Sequence, residues 1–327
     1  MRTARSADGE ASWEVVAFVR EAPAVIGPFV RAHLALGAAR VRAFQDGPLD
    51  PACVGAAPQA AWAACDDAFW AGLGRNRPCS VEARQCAAYD HAFATCEADW
   101  LLVVDADEVV TPGFGAWLAR VPPGVASVQL PTAEAAWRTG SDAERAWSAD
   151  LFRLPGAAPG LLERLYGPLA GLFQGGVLGH AEGKQLVRRG ATVAWVGLHV
   201  SGRPGGGVLT VRAGDAVPAR PAPRLLHHDA MSRGRWAAKW RARASGAVIA
   251  TEMSPVRRRQ MAAFARADAA GATDALFAAL YRLDGWQRAV LAEAGLLYRP
   301  ASGQEPHSVS ENAKIAAAVS AVVSTSQ

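Results

Sequence analysis

The segment that most constrains this chain is residues 100–104, Trp-Leu-Leu-Val-Val, which run straight into Asp105-Ala106-Asp107-Glu108. A short unbroken apolar run reads as a strand covered on both faces, and such strands belong to parallel sheets wrapped by helices. Ending that strand in Asp-x-Asp delivers two carboxylates to the carboxyl edge of the sheet, where open α/β sheets bind their ligands. The expected fold class is therefore α/β, a mainly parallel mixed sheet flanked by helices.

The flanking sequence agrees. Residues 13–19 read as a first strand, and Pro23 opens a helix in which Ile26, Phe29, Val30, His33 and Leu34 share one face. Gly37 ends it as a left-handed cap would, and His33 on that apolar face is expected to be packed. Residues 40–44 form a second strand stopped by Gln45-Asp46-Gly47-Pro48, a turn sequence. A third element ends near Cys65-Asp66-Asp67, and residues 80–96 read as a helix capped by Ser80. Another strand follows at 126–130. Residues 131–160, rich in Ala, Gly, Pro, Ser and Asp, are expected to be a variable loop region, with strands and turns over 161–199 and a loop at 202–207. Helical spacing returns from Met231. The expected organisation is a flexible N-terminus (1–12), a catalytic domain (13–230), a helical extension (231–298) and a loosely ordered tail (299–327).

With 51% apolar and 20% charged residues in 327, the chain falls outside the disordered class. A net charge of +4 suits anionic ligands but is too small an excess to make a nucleic-acid binder. Five cysteines, all in the first third, show neither CxxC nor paired zinc spacing and read as free thiols of a reducing compartment. The N-terminal residues lack an apolar stretch, and no later run reaches spanning length. The expectation is a cytoplasmic location, with peripheral association with the inner membrane as the closest approach to a bilayer; oligomeric state is left open.

Two carboxylates one residue apart repel each other unless a cation lies between them, so Asp105 and Asp107 read as half of a divalent site. Oxygen donors of this kind suit Mn²⁺ or Mg²⁺ bridging a diphosphate. A plain polar turn is the simplest alternative. A chemical rival is a haloacid-dehalogenase-like phosphatase, because Val104-Asp105-Ala106-Asp107-Glu108-Val109 fits hydrophobic-Asp-x-Asp-x-Val with Asp105 as phosphoryl-accepting nucleophile. Several strands precede the motif here, whereas those enzymes begin their core domain with it.

Several segments, in order, resemble the bacterial family 2 and family 92 glycosyltransferases over roughly residues 13–243. Phe18-Val19-Arg20-Glu21-Ala22-Pro23 is similar to the opening V-(K/R)-N-E-x-x, without its Asn. Residues 29–37 resemble the E-W-x-x-H-H-x-x-x-G helix, and Gln45-Asp46-Gly47-Pro48-Leu49-Asp50 stands where the family carries D-N-x-S-x-D-G. Arg84-Gln85 resembles its R-Q helix, and residues 100–108 its D-W-L-x-x-x-D-x-D-E. Gly183-Lys184-Gln185-Leu186-Val187-Arg188 is similar to x-K-S-I-V-R, with His199 following as in H-x-P. His228-Asp229-Ala230-Met231-Ser232, followed by Lys239, resembles H-Y-x-x-S-x-x-x-x-x-x-K with Asp229 in place of Tyr.

The resemblance implies a GT-A catalytic domain using a nucleotide-sugar donor, with uridine diphosphate sugar preferred. It implies Asp107 and His228 as metal ligands, His227 being the alternate for the latter, while Asp105 addresses the ribose or the metal through water and Glu108 supports them. Phe18 to Arg20 would line the base, Asp46 and Asp66 would read the nucleoside, and Arg84, Lys184 and Arg188 would lie on the donor side. Glu134 is the expected general base, ahead of Asp142 and Glu163. The acceptor would be a glycan or lipid-linked sugar of the bacterial envelope. Residues 135–141 depart from the family's W-x-x-F-G-S-x-G. That departure, with the missing Asn, Ser and Tyr, keeps open a binding module that has lost catalysis.

Overall fold

The computed structural model describes residues 10–218, 221–245 and 254–300. Residues 1–9 of the expected flexible N-terminus, and the tail beyond residue 300, lie outside them. The chain divides into two units, which it enters alternately: residues 10–131 and 182–225 form the first, residues 132–181 and 226–300 the second.

The first pass through the first unit runs β1 (Trp13–Val19), α1 (Pro23–Ala35), β2 (Arg40–Gln45), α2 (Pro51–Ala56), β3 (Ala61–Ala64), α3 (Asp67–Gly72), α4 (Val81–Ala94), β4 (Trp100–Val103), β5 (Glu108–Val110), α5 (Phe114–Leu118) and β6 (Ser127–Leu130). The second unit then contributes β7 (Thr132–Arg138), β8 (Leu151–Arg153) and α6 (Pro159–Tyr166). Back in the first unit come β9 (Lys184–Arg188), β10 (Trp195–Val196), β11 (Ser201–Gly202), β12 (Val211–Arg212) and α7 (Ala213–Ala216). Strand β13 (Leu225–His227) leads into the second unit again, which closes with α8 (Arg233–Ala244), α9 (Pro255–Ala269), α10 (Thr273–Tyr281), β14 (Arg282–Leu283), α11 (Gly285–Glu293) and β15 (Leu297–Tyr298).

The first unit is built on a seven-stranded sheet in the order β12-β6-β9-β4-β1-β2-β3. Strands β3, β2, β1 and β4 run parallel, and β9 is antiparallel to both β4 and β6. From β1 the chain steps outward to β2 and β3, then returns to lay β4 on β1's other side. The carboxyl ends of β1 and β4 therefore flank a topological switch point, the crevice in which open α/β sheets hold ligands. Helix α4 covers this part of the sheet, packing Ala88, Tyr89 and Ala92 against Val16, Leu101 and Val103. Its start is fixed locally: the Ser80 hydroxyl accepts from the Ala83 N–H at 3.1 Å. Gly37, at φ +95°, takes the left-handed turn that ends α1.

Residues 131–160 are not the loop that composition suggested. They hold β7 and β8, and every β7 residue before Arg138 is buried. Thr-Ala-Glu-Ala-Ala-Trp carries no apolar alternation, so its strand state comes from its partners rather than its own pattern. In the second unit β8 and β7 pair antiparallel, with Glu134 directly opposite Arg153, and β14 lies parallel to β7. Trp137, Trp236, Phe264, Phe277 and Tyr281 fill the core between this sheet and the helices. Residues 132–181 thus belong with the C-terminal helices, a division different from the expected 13–230 and 231–298. Among the described residues no helix is long and apolar enough to cross a membrane.

Candidate active site

Strand β4 hands over to a tight turn. Val104 N–H still donates to Val16 O at 3.1 Å, continuing the ladder onto β1. The next four residues fold back on themselves: Glu108 N–H donates to Asp105 O at 3.1 Å, and Asp105 N–H donates to Glu108 Oε2 at 2.8 Å. The fully buried Glu108 carboxylate thus clamps the turn, which presents Asp105 and Asp107 at the mouth of the switch point. Glu108 thus holds the backbone of the turn that carries both aspartates.

Lys184, the first residue of β9, reaches the same place from the neighbouring strand. Its Nζ lies 2.7 Å from Asp105 Oδ2 and 3.9 Å from Glu108 Oε2. Burial works against its charge, but the carboxylates of Asp105, Glu108 and Asp107 outweigh it and hold the ammonium above the usual lysine range. Lys184 therefore orients Asp105 as a fixed cation; it is not the surface charge that most lysines are. From α4, Gln85 Nε2 adds a 3.4 Å contact to Asp105 Oδ1. Behind them, burial and then the Asp105 and Glu108 carboxylates raise the Tyr89 hydroxyl well above its usual range.

His199 joins this group from the turn between β10 and β11. Its Nδ1 meets Gly183 O at 2.6 Å, and only a protonated Nδ1 can bond a carbonyl, so Nε2 carries the lone pair. Burial, and then the Lys184 ammonium, push this imidazole below its ordinary pKa and keep it neutral.

The donor-side residues fare unevenly. Phe18 and Arg20 stand at the carboxyl end of β1, Phe18 buried and Arg20 exposed. Asp46 and Arg84 do come together, with Arg84 Nη2 3.0 Å from Asp46 Oδ2 and Nε 3.0 Å from Oδ1, while Arg77 Nη2 lies 2.6 Å from Oδ1. The Asp46 carboxylate, only 3% exposed, is thus an anchor that ties the buried Arg84 and the exposed Arg77. Asp66 is corrected. Its Oδ1 accepts from Phe69 N–H at 3.1 Å, making it the N-cap of α3. Arg188 clips the loop before β6, donating to Val125, Val121 and Pro122 carbonyls and lying 4.2 Å over the Trp100 ring.

In the second unit, Glu134 is also corrected. Its carboxylate lies 2.6 Å from Arg153 Nη2 and accepts the Leu178 and Gly179 N–H groups, with both side chains of the pair about 1% exposed. A general base must reach a substrate hydroxyl, and this carboxylate is occupied by the protein. His228 packs against Trp147 and Phe152 with ring centroids 4.7 and 5.3 Å away. Burial, and then its neighbour His227, push it down to about 3, leaving the neutral imidazole that metal ligation requires. His227 stacks on His180 at 4.7 Å with planes 26° apart. His180 escaped the sequence reading, although Gly179 before it is a clue: a Cβ there would meet His227 Cε1 at 2.7 Å. Asp229 accepts from the Tyr281 hydroxyl at 2.7 Å and lies 3.2 Å from Lys239 Nζ.

No family model matches the chain. No curated protein matches it either. Among solved structures it is similar to glucosyl-3-phosphoglycerate synthase from Mycobacterium tuberculosis, in complex with Mn²⁺, UDP and glucosyl-3-phosphoglycerate, at 14% identity and a TM-score of 0.30. That match covers 57% of this chain and 59% of the synthase, so the chain spans little more than half of that relative's length. A mycobacterial protein aligns over 84% of this chain and 76% of its own, at 13% identity and a TM-score of 0.31. Galactosyltransferase LgtC, solved with donor and acceptor sugar analogues, aligns over 54% and 57% at 12% identity and a TM-score of 0.26. At these TM-scores the chemistry of the site rests on its own geometry.

Proposed function

We propose that the chain is a metal-dependent glycosyltransferase of the GT-A type that takes a nucleotide-sugar donor, a uridine diphosphate sugar by preference. The observation that carries this reading is the clamped Asp105–Glu108 turn at the carboxyl end of β4, beside the switch point of a parallel sheet. A nucleotide fits that crevice. Carboxylates crowded at its mouth suit a Mn²⁺ or Mg²⁺ ion, which when bound would neutralise the charge of a departing diphosphate. The chain's own residues do the positioning: Glu108 fixes the turn, Lys184 and Gln85 orient Asp105, and Asp107 is the proposed carboxylate ligand. His228, or His227 in its place, is the proposed nitrogen ligand; an imidazole in the set favours Mn²⁺ over Mg²⁺. Phe18, Arg20 and the Asp46-anchored Arg77 and Arg84 are proposed to face the nucleoside side.

With Glu134 occupied, the acceptor-side base is proposed among the exposed acids Asp142 and Glu163. The acceptor is proposed to be a glycan or lipid-linked sugar of the bacterial envelope, met at the cytoplasmic face of the inner membrane by peripheral association. Calorimetric titration with UDP tests the core of this reading. Binding should require Mn²⁺ and be lost in Asp107→Asn; metal-independent binding that survives the substitution would sink it.

One observation favours the phosphatase alternative. The Lys184 ammonium on Asp105 is also an arrangement that would hold a nucleophilic carboxylate. Phosphate release from p-nitrophenyl phosphate, abolished by Asp105→Asn and by aluminium fluoride, would select it.

A further inference from the structure

The hairpin that brings His199 to the carboxylate turn has a second feature. Strands β10 and β11 pair Trp195 with Gly202 and Val196 with Ser201. This ribbon is pinned to α4 and to β9 of the sheet through polar groups. Val196 N–H donates to Asp90 Oδ1 at 2.6 Å, Gln185 Nε2 donates to Gly197 O at 2.6 Å, and the Ser201 hydroxyl donates to Gln185 Oε1 at 2.7 Å. It also carries Trp195, which at 43% exposure is one of the few large apolar side chains left open.

The indole is seated, not dangling. It lies across Gly202, where an added Cβ would overlap the ring at Nε1 and Cε2, and across Gly197, where a Cβ would meet Cζ3 at 2.7 Å. Two glycines therefore let the ring rest on bare backbone while part of the indole stays open to solvent. The surface around it is mixed, with Val208, 55% exposed, as the neighbouring apolar side chain. Gly202 bridges to Val208 on its far side, and Arg203 to Gly207 form an exposed loop closed by an Arg203 N–H to Gly207 O bond of 2.9 Å. Three consecutive glycines there, Gly205, Gly206 and Gly207, all take positive φ and leave their peptide groups uncovered by side chains.

We propose that Trp195 is the stacking platform of a carbohydrate subsite, taking a hexopyranose ring whose hydroxyls are equatorial, as in a β-linked glucan. Such a ring has one flat C–H face and a polar rim, matching an indole bedded on glycine backbone beside Val208 and the uncovered peptide groups of residues 205–207. One indole with Val208 beside it is too small for a stable protein interface, which buries about 1,200 Å² or more. The binding claim stands on the hairpin alone. Only the bound glycan's role, as the far end of the acceptor, rests on the glycosyltransferase reading.

The test is an NMR titration of the whole protein with cellohexaose. The wild type is expected to bind with saturation transfer from aromatic protons to sugar C–H protons. Trp195→Ala should weaken the Kd about fivefold or more, and Trp195→Phe should weaken it less. Gly202→Ala, which keeps the indole but unseats it, should match Trp195→Ala and shift the tryptophan emission to the red. The two Trp195 variants should keep the wild-type melting temperature, and all three should keep Mn²⁺-dependent UDP binding. The proposal is overturned if cellohexaose does not bind, if it binds Trp195→Ala as well as wild type, or if Trp195→Ala instead abolishes a concentration-dependent self-association. Loss of UDP binding in the wild type, with cellohexaose binding intact, would break the transferase reading and leave the subsite standing.

Discussion

In the first unit the charged groups of interest stand where strands end: Asp105, about a third exposed, is held by Lys184 from below and faces the crevice beyond β4. In the second unit Glu134 and Arg153 meet in mid-sheet across β7 and β8, sealed from water, with Arg153 also donating to Leu280 O at 2.7 Å and lying over the Phe173 and Tyr281 rings. Both are short carboxylate–cation contacts. What separates them is the remaining valence: the protein fills the acceptor capacity of Glu134, whereas the Asp105–Asp107 turn opens at a sheet edge. A buried ion pair fixes which strands pair and in what register, and removing one partner leaves an uncompensated charge.

The largest expected effect is at the turn. Asp107→Asn should lower Mn²⁺-dependent UDP affinity by about 100-fold or more while leaving the melting temperature within a few degrees of wild type, as read by calorimetry of binding and of unfolding. Arg153→Met should do the reverse, costing roughly 3–5 kcal/mol of stability by stranding Glu134, measured by urea unfolding. If that variant is as stable as wild type, the contrast between the two units fails.

Glu134→Gln sharpens the contrast further. It should destabilise by about 1–3 kcal/mol, and any transferase activity that remains should keep its pH profile. A general base would show the opposite, with stability retained and the acidic limb of the pH profile lost.

A further effect concerns protons. His33, buried against Phe29 and Trp13, is pushed down to about 4, burial outweighing its bond to Phe29 O. The unfolded chain therefore binds a proton that the folded chain refuses between pH 6.5 and about 4, so stability falls with falling pH in that window by about 1.4 kcal/mol per unit at most. His33→Leu should flatten this slope in the first unit and leave the second unit's share, from His228, in place. Melting temperatures between pH 7 and pH 4.5 would show it.

The sequence displays these regions unequally, for physical reasons. Strands β1, β2 and β4 and helices α1 and α4 announce themselves through local signals: apolar runs, Pro23, Gly37 and the Ser80 cap. The carboxylate turn is equally local, since its four residues are consecutive. Strand β7 is invisible because small residues such as Ala133, Ala135 and Ala136 gain their burial only from distant partners. For the same reason Glu134 resembles a loop acid until Arg153 is placed opposite it. Asp66 was legible in principle, being an Asp three residues before a helical Phe, but a capping carboxylate and a ligand-reading carboxylate look alike in one dimension.

The pairing of Lys184 with Asp105 spans 79 residues, and between them the chain leaves for the second unit and comes back. During synthesis the three acids of the turn emerge first and wait, without their lysine, until residues 132–181 have been made. The site is therefore assembled late, as the last clasp of a long excursion. A truncation or stall anywhere in that excursion yields strands β1 to β4 with an acidic turn and no counterweight. The order of translation itself thereby keeps a half-built chain from presenting the finished arrangement.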